Sequence, residues 1–188
     1  MSEPPPAKPP QNRLRAVADA HTDFWEVTEN GLDWALEKTG HASDPELRER
    51  LLALYWELQA YREVPEMLTR LKAAGLNTAI LSNGSPEMLE GAVRSAGIEG
   101  VVDVSLSVQS VGIFKPDSRV YDLVGGHFGC EKSEVLFVSS NGWDAAAATG
   151  YGFTTAWVNR AGDPMDRLPW SPKHVLTDLT GIPALAGI

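Results

Sequence analysis

A single cysteine, Cys130, stands among 188 residues, which excludes an intrachain disulfide framework and fits a reducing compartment such as the cytoplasm. Cys130 itself reads as a buried or half-buried thiol without chemistry. Long apolar runs are missing too: none approaches the ~18 residues that a membrane span needs. The opening Met-Ser-Glu-Pro-Pro-Pro-Ala-Lys-Pro-Pro lacks the apolar stretch of a secretory signal, so neither export nor a membrane is expected. Basic residues are the scarcer charge, 16 against 25 acidic ones, and they form no cluster. The net charge of −9 disfavours nucleic acid or an anionic membrane as a partner.

What is present is enough for a real core, since 43% of the chain is hydrophobic. Residues 1–12 hold five prolines and read as a disordered or extended lead-in. From 13 to 62 helical spacing dominates. Val17, Phe24, Val27, Leu32 and Leu36 mark a helix over Leu14–Lys38, with Gly40 as its stop. Ser43 or Asp44 ahead of Pro45 caps a second helix, whose Leu47, Leu51, Leu54, Tyr55 and Leu58 make one stripe. Two helices with no strand between them predict a helical lobe.

From 63 to 188 helices and strands alternate. Pro65–Ala74, Ser85–Ala96, Ser118–Phe128 and Trp143–Thr149 read as helices. Leu76–Leu81 reads as a buried strand, Val101–Val108 as short strand pieces, and Val135–Val138, Phe153–Val158 and His174–Leu176 as further strands, with a weak helix near Leu179. That alternation predicts a parallel, doubly wound α/β sheet. Its ligands are expected at the carboxyl ends of the strands.

Three polar clusters fall at those ends. Ser82-Asn83-Gly84-Ser85 follows the strand ending at Leu81, and its amides and hydroxyls suit a small anion, while Ser85 also serves as a helix cap. Phe114-Lys115-Pro116-Asp117 offers a lysine able to hold a nearby carboxylate ionised, or simply a solvated one; Asp117 and Ser118 are more cheaply read as a cap. Tyr121, one turn on, either presents its hydroxyl to the same edge or packs. The third, Val135-Leu-Phe-Val-Ser-Ser-Asn-Gly-Trp-Asp144, runs from an apolar strand into two hydroxyls, an amide, an indole and a carboxylate.

Taken in order, strand-Ser-Asn, then Lys-Pro, then strand-Ser-Ser-Asn-Gly-Trp-Asp resembles the haloacid dehalogenase superfamily from about Arg13 to Leu185. Within it, Leu81-Ser-Asn-Gly-Ser-Pro86, Lys115-Pro-Asp-Ser-Arg-Val-Tyr121 and Phe137-Val-Ser-Ser-Asn-Gly-Trp-Asp-Ala145 look like the (S)-2-haloacid dehalogenases of type II. The resemblance implies a Rossmannoid parallel sheet (63–188) with a helical cap (13–62). It also implies a small halogenated carboxylic acid as substrate and a homodimer held by helices of cap and core. Phosphatases of the superfamily hold Mg²⁺ with acidic residues in the last motif. Here Ser140 stands at the position that looks equivalent to a main metal-ligating acid, so no metal and no cofactor are expected.

The family mechanism implied is attack of an aspartate on C2 of the acid, release of halide, and hydrolysis of the ester to a 2-hydroxy acid of inverted configuration. By the same resemblance Ser82 binds the substrate carboxylate and Lys115 pairs with the nucleophile. Asn141 and Asp144 position or activate water. Asn83, Phe24 and Trp143 line the halide and alkyl pocket, although Phe24 and Trp143 read equally well as packing aromatics. Ser139 and Tyr121 orient their neighbours. The family's nucleophile ends an apolar first strand as Asp-x-Tyr-Gly-Thr, central in the sheet between the strands ending at Leu81 and Val138. No such run precedes the cap here, so no nucleophile is assigned. Asp19 and Asp23 fall on the cap helix, Asp103 and Asp117 in turns or caps, and Arg13 and Arg15 do not match the family's substrate-binding arginine. Two expectations follow: an (S)-2-haloacid dehalogenase in truncated, impaired form, or a noncatalytic binding protein of the same fold. A Mg²⁺-dependent phosphatase comes third.

Overall fold

The computed structural model describes residues 22–188. Helix α1 (Phe24–Thr39) starts at Asp23, whose carboxylate accepts the Trp25 N–H at 2.7 Å, and stops at Gly40 in the left-handed conformation, φ 79°. The expected single helix over Leu14–Lys38 is corrected at Thr22 and Asp23, which are not helical, Asp23 serving as a cap; Leu14, Val17, the lead-in 1–12, Arg13, Arg15 and Asp19 lie outside the described residues. Asp44 caps α2 (Pro45–Ala53) through the Leu47 N–H at 2.9 Å.

The predicted stripe on α2 needs correction. The helix ends at Ala53, Leu52 is its buried residue, and Leu54, Tyr55 and Leu58 are exposed at 55%, 40% and 46%. Past Ala53 the chain packs on residues further along instead. Trp56 lies on Gly91, and the Leu58 carbonyl accepts the Ser95 hydroxyl at 2.8 Å.

Beyond it come α3 (Val64–Ala73), β1 (Ala79–Ser82), α4 (Pro86–Ser95), β2 (Val104–Ser107), α5 (Ser118–Phe128), β3 (Leu136–Ser139), α6 (Gly142–Tyr151), β4 (Thr154–Val158), β5 (His174–Leu176) and the short α7 (Ile182–Leu185). The strand expected over Leu76–Leu81 begins only at Ala79 and is half-buried rather than buried, with Leu76 exposed ahead of it. The final helix lies beyond Leu179, at Ile182.

Among the described residues all strand pairs are parallel, in two separate sheets: β1 with β2, and β3 with β4 with β5. No strand among the described residues pairs with the second edge of β1 or of β3. Helix α5 spans this division. Its Tyr121 and Val124 pack with Phe137 of β3, Phe153 and Ala148, while Leu81 of β1 and Leu106 of β2 press on the same cluster. A second cluster joins Val27 of α1 to Val108, Phe114 and Val120, with Phe24 and Leu81 at its edge. Helix α1 is thereby anchored beside Phe114, the residue that precedes Lys115.

Candidate active site

Asp144 sits in the first turn of α6, and its carboxylate gathers the site. Its Oδ2 accepts from Lys115 Nζ at 3.1 Å and from Ser139 Oγ at 3.0 Å; its Oδ1 accepts from the Tyr121 hydroxyl at 2.9 Å. Each donor comes from a different element. Ser139 ends β3, Tyr121 lies on α5, and Lys115 precedes that helix in the loop closed by cis Pro116. Lys115, Ser139, Tyr121 and Asp144 are all buried.

Lys115 Nζ also lies 4.9 Å from the centre of the Phe137 ring, a cation–π contact. Burial pushes the lysine below its usual pKa range, and the Asp144 carboxylate beside it opposes that shift. A partly dehydrated ammonium of this kind has its remaining capacity for an anion undiluted by water.

Of the other sequence-predicted residues, Asn83 and Asn141 are hydrogen-bonded to members of this network. Asn83 Oδ1 accepts the Lys115 backbone N–H at 3.0 Å, so the first polar loop positions the lysine through its main chain. Ser82 Oγ accepts the Gly84 N–H at 3.1 Å, folding that loop on itself. Asn141 opens α6, donates its backbone N–H to Ser139 Oγ at 3.1 Å, and does not use its side chain as a cap. Trp143 is half-buried beside Asp144. Phe24 reaches the site through Phe114, its ring 6.2 Å away edge to face.

Three of the described acids considered as nucleophiles have other partners. Asp23 caps α1. Asp117 caps α5 and pairs with Arg119. Asp103 accepts the Thr78 N–H at 2.7 Å and pairs with Lys72. Asp144 itself carries three donors. For Lys115 the structure provides Asp144 as carboxylate partner, where the resemblance had implied a nucleophile. Sequence reasoning also missed Phe137 beneath the lysine and two residues that hold the site loops, Ser107 and Trp157.

The family model of haloacid dehalogenase-like hydrolases matches residues 8–152. (S)-2-haloacid dehalogenase 1 of Pseudomonas sp. (strain CBS-3) is 42% identical over 171 residues, covering 91% of this chain and 75% of its own. The chain belongs to the haloacid dehalogenase-like hydrolase family. Solved structures of its dehalogenase members superpose closely. L-2-haloacid dehalogenase RSc1362 matches with a TM-score of 0.91 and 37% identity, covering 95% of this chain and 80% of that one. The Xanthobacter autotrophicus L-2-haloacid dehalogenase with chloropropionic acid covalently bound matches with a TM-score of 0.87 and 31% identity, covering 94% and 81%. Membership in this hydrolase family also brings in the superfamily's magnesium chemistry, which the donors near α6 do not suit. They are the hydroxyls of Ser139 and Ser140, the Asn141 amide and a carboxylate already carrying three hydrogen bonds, whereas Mg²⁺ asks for uncommitted charged oxygens. Among the described residues no three or more His, Cys, Asp or Glu are grouped to hold a metal, and no helix is long and apolar enough to cross a membrane.

Proposed function

We propose that this site serves hydrolysis of the carbon–halide bond of small (S)-2-haloalkanoic acids, yielding halide and a 2-hydroxy acid. The observation that carries the reading is the buried Lys115–Asp144–Ser139–Tyr121 network at the carboxyl end of β3, in a chain 42% identical to an (S)-2-haloacid dehalogenase. Ser82 Oγ accepts the Gly84 N–H and keeps its own hydroxyl proton to donate to the substrate carboxylate. Lys115 supplies positive charge to the attacking carboxylate, and Tyr121 and Ser139 keep Asp144 oriented toward it. Asn141, whose side chain does not cap α6, orients the hydrolytic water with Asp144. Asn83, Phe24 and Trp143 border the halide and alkyl group.

The attacking carboxylate is left unassigned. By the family resemblance it belongs on a strand between β1 and β3, each of which has one edge without a strand partner among the described residues. The commitment of Asp23, Asp103, Asp117 and Asp144 to other partners favours a second reading, a protein that binds such acids without turnover.

Division into a cap over 13–62 and a core over 63–188 belongs to the same proposal. So does a homodimer, supported by the exposed Leu54, Tyr55, Trp56, Leu58 and Tyr61 and checked by sedimentation. The test of function is to incubate the purified chain with (S)-2-chloropropionate and follow chloride. Release that Lys115→Ala abolishes supports the hydrolase; binding without release, from this chain and from one extended by a strand ending Asp-x-Tyr-Gly-Thr, selects the second reading; neither binding nor release refutes both.

A further inference from the structure

Each of the two polar loops at the site is tied down by one side chain from the neighbouring strand. Ser82, the last residue of β1, is in register with Ser107 of β2; Ser139, the last of β3, is in register with Trp157 of β4. Ser107 Oγ donates to the Gly84 carbonyl at 2.7 Å and accepts the Gln109 N–H at 3.2 Å. Trp157 donates its Nε1–H to the Ser140 carbonyl at 3.2 Å. Both anchors are buried, at 9% and 4% exposure.

A peptide group is planar, so holding its carbonyl also aims the N–H of the next residue. Fixing the Ser140 carbonyl therefore aims the Asn141 N–H, which donates to Ser139 Oγ at 3.1 Å; that hydroxyl in turn donates to Asp144 Oδ2 at 3.0 Å. Holding the Gly84 carbonyl aims the Ser85 N–H and pins the far end of the other loop, whose nearer peptides are held from within. The Gly84 N–H is spent on Ser82 Oγ, and Asn83 between them holds the Lys115 N–H at 3.0 Å. Past a strand end no ladder bond restrains these peptides, so the two side chains take over that task. Their effects converge on the Lys115–Asp144 pair, one from each sheet.

We propose that Ser107 and Trp157 are positioning residues of the acid-binding site: Ser107 sets the Ser82–Gly84 loop that receives the carboxylate, and Trp157 sets the peptide that orients Ser139 against Asp144. This rests on the reading under Proposed function. Two substitutions separate the donor from the bulk. Trp157→Phe keeps an aromatic ring on β4 and removes the N–H. Ser107→Ala removes the hydroxyl at nearly constant volume, and Ser107→Thr retains it.

The experiment uses the full chain with two measurements: amide hydrogen exchange by NMR, and calorimetric titration with propionate, which resembles the substrate but has no leaving group. Ser107→Ala is expected to speed exchange at Gly84, and Trp157→Phe at Asn141, each by roughly three- to tenfold, with propionate affinity falling by a similar factor. Strand amides of β1 to β4 keep their rates, and Ser107→Thr stays near wild type. Loop exchange at the wild-type rate in both variants overturns the proposal, as does unchanged propionate affinity where the wild type binds. A uniform rise across all amides also overturns it, because that marks a merely structural role. If the wild type binds no propionate but loop exchange still rises selectively, the acid-binding reading fails while the anchoring stands.

Discussion

Lys115 Nζ lies 3.1 Å from Asp144 Oδ2, with both side chains less than one-tenth exposed at 8% and 6%. Residues 29 positions apart in the chain thus form the buried charge pair on which the site is built. Breaking such a pair from one side strands the other charge in a dry setting, a larger effect than the net worth of the pair. Lys115→Met should destabilise the fold by about 3 kcal/mol or more in urea unfolding. The double variant Lys115→Met/Asp144→Leu should lose clearly less than the sum of the single losses. Additive losses would mean that the two groups are not coupled.

Tyr121 contributes a hydroxyl to Asp144 Oδ1 at 2.9 Å and a ring to the cluster of Phe137 and Phe153. Tyr121→Phe keeps the ring contacts and removes only the donor. The expected loss is about 1.5 kcal/mol, the range for a hydrogen bond to a charged acceptor. Chemical denaturation checks it, and a loss near zero would mean that the hydroxyl is replaced by solvent.

Gly91 and Gly126 both sit inside helices, yet alanine should act oppositely at the two. A Cβ at Gly126 meets nothing within 4 Å, so Gly126→Ala should raise stability by about 0.5–1 kcal/mol. At Gly91 the added atom stands 2.7 Å from Trp56 Cε3, and Trp56 lies 5.6 Å from the Trp25 ring of α1. Gly91→Ala should therefore forfeit the helix gain and shift the indole fluorescence as Trp56 is displaced. Thermal unfolding of the two variants side by side decides the sign.

The Tyr151 phenol is pushed up to about 12, first by burial and then by its hydrogen bond to Asp122. A folded-state value above the ordinary 10.0 means that Tyr151 contributes stability fully present below pH 10.0 and lost as pH rises toward about 12. Absorbance titration of tyrosinate should show a late step that Tyr151→Phe removes. Stability of the variant should fall less steeply over the same alkaline range.

Local chemistry was legible in the sequence wherever one side chain and one turn decide the outcome. Helix α5 occupies Ser118–Phe128 as read, because Asp117 caps one end and Gly129 takes the left-handed conformation at the other, φ 65°. Gly40 and Ser85 act in the same way. The end of α2 was not legible, since it depends on Trp56 reaching Gly91 on another element. The site residues emerged from the order of three motifs, which locate strand ends but say nothing of pairings across them. The Lys115–Asp144 contact is such a pairing. Ser107 and Trp157 escaped notice because a serine or tryptophan on a strand looks like any other until its neighbour in register is known.

The central claim, that this network serves cleavage of a carbon–halide bond, is tested most directly by chloride release from (S)-2-chloropropionate. The assay uses the chain extended by an apolar strand ending Asp-x-Tyr-Gly-Thr, beside the same protein carrying Lys115→Ala. The account predicts chloride from the first and none above background from the second. No chloride from the extended chain, or equal release from both, would contradict it.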